Sequence, residues 1–156
     1  MAFIKITPVK FKSVMNDRLF DGYKPDEWLN SERIIAIAPV QVDNVQHLNI
    51  WYDTIPGHFA IIAVQKTEEL QSNLDKLKQT KKFFKCKQAD GSFSEYLVAA
   101  VTSIEPYTHR WMPGLQSGTP EDNAAIVMWL EVNGMSFPRP YYVRETVEEL
   151  LTQLEN

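Results

Sequence analysis

The chain has 156 residues, 44% of them hydrophobic and 23% charged, a globular balance that excludes wholesale disorder. Sixteen Lys+Arg against twenty Asp+Glu give a net charge of −4, which argues against a surface coating nucleic acid or anionic lipid throughout, while leaving room for a local basic patch. A single cysteine, Cys86, excludes an internal disulfide and any Cys-rich zinc site.

The apolar runs around Phe59–Val64 and Ala124–Leu130 fall far short of a membrane span, and the start Met1-Ala-Phe-Ile-Lys lacks a signal-peptide core. The expectation is a cytoplasmic or virion-associated globular protein with no membrane partner.

In chain order, Phe3-Ile-Lys-Ile alternates as a strand does. Lys10–Asn30 then reads as a long loop holding Met15, Phe20, Tyr23 and Trp28. Strands follow from Ile34, Leu48 and Phe59, with a turn at Pro56-Gly57. Leu70, Leu74 and Leu77 then fall on one helical stripe, with Glu68 and Glu69 early and lysines late, which predicts a helix over 67–79. In the second half, strands are expected at Phe83–Lys87 and from Tyr96 through Leu97-Val-Ala-Ala-Val. A long loop over 106–122 follows, then strands from Ala125 and Tyr141 separated by the turn signal Asn133-Gly134. Val147, Leu150, Leu151 and Leu154 make a second stripe behind a Thr146/Glu149 capping box, predicting a helix over 146–155.

This order suggests an internal repeat. Glu68-Glu-Leu-x-x-x-Leu74 matches Glu148-Glu-Leu-x-x-x-Leu154, and Phe3-Ile-Lys-Ile rhymes with Phe83-Phe-Lys-Cys. The expected fold is α+β and β-rich: two similar modules, 1–80 and 81–156, of about four strands each and each closed by an amphipathic helix. A single α+β domain that uses its helices twice is the alternative.

Signatures of catalysis are missing: no phosphate loop, dinucleotide fingerprint, His-Glu-x-x-His or Gly-x-Ser-x-Gly occurs. The histidines His47, His58 and His109 fall in three expected loops. His47, Asp53 and His58 match no ligand spacing, so no metal is expected. Cys86, between Lys85 and Lys87, has no base at hand and reads as a structural thiol. Asp17, Asp21, Asp26, Glu27, Glu121 and Asp122 are spread over the loops, with no pair singled out for acid–base work. Neither an enzyme nor a cofactor is expected.

Two readings of binding remain. The long loops are rich in the types found at interface cores, so Trp28, Tyr107, Arg110, Trp111 and Met112 are candidate contacts with other protein subunits in an oligomeric assembly. Alternatively, Lys78, Lys81, Lys82 and Lys85, within a lysine run from Lys76 to Lys87, surround Phe83 and Phe84, as a strand-tracking nucleic-acid site would. The plainer account of that run is a helix C-terminus, a connector and the outward face of a strand.

The segment Ala125-Ile-Val-Met-Trp-Leu-Glu-Val-Asn-Gly-Met-Ser-Phe-Pro-Arg-Pro-Tyr-Tyr-Val-Arg-Glu-Thr-Val-Glu-Glu-Leu-Leu resembles the closing strand and helix of the FlbD-like flagellar-associated family, and Ala63-Val-Gln-Lys-Thr-Glu-Glu-Leu resembles its last part. That resemblance, shared with small β-proteins of bacteriophages, implies a non-enzymatic structural or interaction module with no active site to carry over. The most concrete expectation is a bacteriophage virion component.

Overall fold

Threonine before a run of acids and spaced leucines is an instruction to start a helix, and the chain obeys it twice. In the computed structural model, which describes residues 3–15, 17–55, 58–87, 91–106, 124–132 and 135–155, helix α1 spans Glu68–Thr80 and helix α2 spans Val147–Glu155. Thr67 Oγ1 accepts the Leu70 amide at 3.1 Å, and Thr146 Oγ1 accepts the Glu149 amide at 3.1 Å, which satisfies one of the orphan donors of each first turn. α1 buries Leu70, Leu74 and Leu77; α2 buries Leu150.

The described residues form a β-rich α+β fold of twelve strands and two helices, divided into two compact units. One comprises Met1–Thr54 and Phe59–Lys81, the other Ile55–His58 and Lys82–Asn156.

In the first unit, β1 (Phe3–Ile6) pairs antiparallel with β4 (Glu27–Asn30), Phe3 opposite Asn30 and Lys5 opposite Trp28. A 3-10 turn, Ser31–Arg33, leads from β4 into β5 (Ile34–Val42). β5, β6 (Val45–Ile55) and β7 (His58–Gln65) are neighbours in that order. Ile34 to Ala38 are all buried, as expected of a continuous apolar run covered on both faces. β5 and β6 join through Asp43 and Asn44 at φ +49° and +65°, the pair of left-handed positions that a type I′ hairpin requires. The Gln65 amide donates to the Thr7 carbonyl at 2.9 Å, tying the end of β7 to the end of β1.

Lys10–Asn30 is not a loop. β2 (Val9–Val14) and β3 (Asp17–Tyr23) make an antiparallel hairpin, and β4 follows after a short link. The register slips between Val9 and Phe11, where Asp21 and Gly22 together face Lys10, and Gly22 sits at φ +83°. That bulge interrupts the alternation by which a strand is recognised. The first unit therefore holds seven strands rather than about four.

In the second unit, β8 (Phe83–Lys87) pairs antiparallel with β9 (Phe93–Leu97), Phe83 opposite Leu97 and Lys85 opposite Glu95. The expected strand through Leu97-Val-Ala-Ala-Val instead ends at Leu97 and becomes a 3-10 turn, Val98–Ala100. β10 (Ser103–Pro106), β11 (Ala124–Val132) and β12 (Met135–Val143) form an antiparallel meander. Phe84, Cys86, Tyr96, Val143, Leu150 and Ala124 to Met128 are buried. The outer edge of β8 is closed by side chains: Gln153 accepts the Lys85 amide at 2.8 Å and donates to the Lys85 carbonyl at 3.0 Å, while the Glu145 carboxylate accepts the Lys87 amide.

Candidate assembly surface

On the β1–β4 ribbon, alternation puts Ile4 and Ile6 inward and Phe3, Lys5 and Trp28 on the opposite face. Ile4 and Ile6 are 2% exposed, whereas Phe3 is 54% and Trp28 64% exposed. Lys5 lies between the two aromatics in the ladder, and its Nζ pairs with Glu69 of α1 at 3.1 Å. The result is a face with two bare aromatic rings and one committed cation.

The β2–β3 hairpin carries a second apolar group. Val14 and Leu19 lie diagonally on one face and are exposed; Met15, at the tip, is 92% exposed. Met15 holds φ +49°, a left-handed backbone that Gly, Asn or Asp adopts at little cost and other residues do not. On the other face the Arg18 guanidinium lies 4.1 Å from the centroid of the Phe11 ring. The hairpin is fixed near its base. The Phe20 amide donates to Asp43 at 2.9 Å, and the Phe20 and Tyr23 rings pack against His47. His47 is therefore a wholly buried strand residue of β6 rather than a loop histidine.

Of the expected subunit contacts, Trp28 stands on a strand with its ring exposed; Tyr107, Arg110, Trp111 and Met112 lie outside the described residues, as do His109, Glu121, Asp122 and the Asn133-Gly134 turn. Met15, Val14, Leu19 and Phe3 join the exposed set. Met15 sat in plain view in the sequence, but Val14-Met15-Asn16-Asp17 carries no glycine, so nothing flagged it as a hairpin tip.

The lysine run separates on folding. Lys78 pairs with Asp75 at 3.4 Å, Lys81 with Glu32 at 2.8 Å, and Lys82 Nζ donates to the Leu154 carbonyl at 2.6 Å. Phe84 is buried and packs on Tyr96, so of the two aromatics only Phe83 retains ring surface for stacking. Lys85 remains exposed.

Chemistry is equally dispersed. Burial, and secondarily the Glu145 carboxylate, push the Cys86 thiol far above its ordinary pKa, opposite to what a nucleophile needs. Asp21 pairs with Lys10 at 3.7 Å and Asp26 accepts from Thr7 at 2.7 Å. Among the described residues no group of three or more His, Cys, Asp or Glu side chains could hold a metal ion. A cleft of about 370 Å³ between the Ser31–Arg33 turn and α1 has Ser31, Glu32, Asn73 and Lys76 on its walls, but Glu32 is already bound to Lys81. Among the described residues no helix is long and apolar enough to cross a membrane. Set against protein-family models, curated proteins and solved structures, the chain matches none.

Proposed function

We propose that this protein is a non-enzymatic structural or adaptor protein that works by assembling with other protein subunits through the β1–β4 and β2–β3 ribbons. The observation that carries the reading is the exposure of Trp28, Phe3 and Met15 on two ribbons of one unit. Large exposed apolar groups of this kind mark interaction sites, and Trp is prominent among residues whose truncation costs an interface most. The version as a bacteriophage virion component, or a cytoplasmic protein of the same type, rests on the resemblance of the closing hairpin and helix.

The same proposal includes descent of the two halves from one module, with the β2–β3 hairpin added to the first. Three parallels support it. The opening ribbon has one register in both: Phe3 opposite Asn30, Phe83 opposite Leu97. A 3-10 turn of three residues follows each ribbon, then three adjacent strands and a Thr-capped helix. Finally, the Gln65 amide to Thr7 has its counterpart in the Arg144 amide to Lys87, at 2.9 and 3.0 Å.

The test is native mass by sedimentation for the wild type, Trp28→Ala, Met15→Asp and Trp111→Ala. A wild-type oligomer that Trp28→Ala and Met15→Asp dissociate, with unchanged circular dichroism, supports the proposal. A wild type that stays monomeric at high concentration and retains no partner refutes it. Retention of nucleic acid at low salt, lost on replacing Lys82 and Lys85, favours the alternative.

A further inference from the structure

The two halves treat the outer edge of their first strand differently. Lys5 of β1 stands where Lys85 stands in β8, each the third residue of its opening pattern. Asn73 stands where Gln153 stands, each just before the second leucine of its Glu-Glu-Leu-x-x-x-Leu pattern. In the second unit the Gln153 carboxamide bonds both the amide and the carbonyl of Lys85, the two valences an added strand would use. The Glu145 carboxylate likewise takes the Lys87 amide. The first unit has neither closure. Asn73 is one methylene shorter than glutamine, and among the described residues no side chain bonds the Lys5 backbone. Lys66, in the place of Glu145, has no acceptor to offer the Thr7 amide.

The end of β1 shows which way its free groups face. The Thr7 carbonyl accepts the Gln65 amide on the edge that β4 leaves open, as the Lys87 carbonyl accepts the Arg144 amide. Alternate residues of a strand turn their backbone groups to the same edge, so Lys5 presents its N–H and C=O outward. Alongside, Asn73, Lys76 and Gln79 form a row of about 9 Å on α1, the length of about three extended residues. With the buried Ile4 and Leu77 they line the cleft of about 370 Å³. Among the described residues these three polar side chains have no hydrogen bond or ion pair, whereas Lys81 is spent on Glu32.

We propose that the groove between the outer edge of β1 and helix α1 takes an extended peptide segment of a partner protein, which adds to β1 as a strand and sets a carboxylate against Lys76. Main-chain bonds to Lys5 hold the segment, and its alternate side chains meet the α1 row, the division of labour that strand addition uses elsewhere. The uncommitted Lys76 ammonium selects an acidic segment, and salt weakens the selection. The site goes beyond assembly through the ribbon faces, because it needs neither the Phe3 nor the Trp28 ring.

The probe is a random heptapeptide library displayed on yeast, selected on the wild-type full chain and then made as synthetic peptides with blocked ends. Enriched peptides should carry Asp or Glu and bind Lys76→Glu at least about tenfold more weakly than wild type. Asn73→Gln restores the missing methylene and should weaken binding similarly. N-methylation of one alternate set of peptide amides should abolish binding, and of the other set should not. In the free protein the Lys5 amide should exchange at least about tenfold faster than the Lys85 amide, and bound peptide should slow it. No enrichment over an unrelated protein, equal binding of the two N-methylated sets, or a Lys5 amide as protected as Lys85 in the free protein overturns the proposal. A monomeric wild type that selects such peptides refutes the assembly through ribbon faces and leaves the groove standing.

Discussion

Replacing Met15 with Asn should strengthen the fold and weaken the assembly at once. Met15 occupies φ +49° with its side chain 92% exposed, so the substitution discards almost no packing. An ordinary side chain in left-handed backbone costs about 1–2 kcal/mol, and Asn, whose short amide tolerates that region, recovers roughly half. The expected gain is about 0.5–1 kcal/mol in closing the hairpin, which slows exchange of the Lys12 and Leu19 amides, the second hydrogen-bonded ladder pair from the tip, roughly two- to fivefold. The same change removes an apolar contact from the tip, so the sedimentation mass should fall toward the protomer. Unchanged or faster exchange would show that the turn stores no strain. Slower exchange with undiminished assembly would remove Met15 from the docking surface and leave the strain argument intact.

Trp28→Ala should leave the melting temperature nearly unchanged, because the ring is mostly in solvent, while weakening subunit association by about 2 kcal/mol, or roughly thirtyfold in Kd; a titration by light scattering measures it. Leu74→Ala, in the buried stripe of α1, should cost about 2–5 kcal/mol in urea unfolding, and a loss below 1 kcal/mol would mean that α1 is not the lid of its unit. Cys86 should resist thiol reagents until the protein unfolds. Since burial raises its folded pKa, the unfolded state releases the proton first, so stability should decline above the ordinary thiol range, about pH 8.5, with a slope approaching 1.4 kcal/mol per pH unit. Urea midpoints across that range, compared with Cys86→Ala, isolate the slope.

Both helices were legible because a threonine cap, early acids and leucine spacing agreed at each, with late cations as well at α1, and they begin within a residue of expectation. The strands were legible where alternation ran unbroken, as at Phe3–Ile6 and Phe83–Lys87. It failed where local geometry broke the period: the Gly22 bulge and the Met15 tip disguised a hairpin as a loop. The strand from Ile34 runs beyond its apolar opening, because Pro39 pairs with Leu48 and β5 continues to Val42. Asp43-Asn44 then makes the β5–β6 turn, a type I′ pair without the glycine by which such turns are most readily recognised. Trp28 was singled out for its type, but its exposure depends on Lys5 and Phe3 sharing its face, a matter of register that composition does not carry. His47 was misread because burial beneath Phe20 and Tyr23 is a tertiary event.

The side chain of Gln153 gives β8 something a strand normally receives from another strand. One donor and one acceptor meet the Lys85 backbone as a neighbouring peptide unit would, so the outermost ribbon of the second unit ends in a plug rather than a template. A protein that exposes tryptophan and methionine, as the first unit does, runs a constant risk of sticking in the wrong register. With the backbone edge of β8 already spoken for, any association at that edge falls to side-chain surfaces, which can be specific, instead of to main chain, which pairs with almost anything extended.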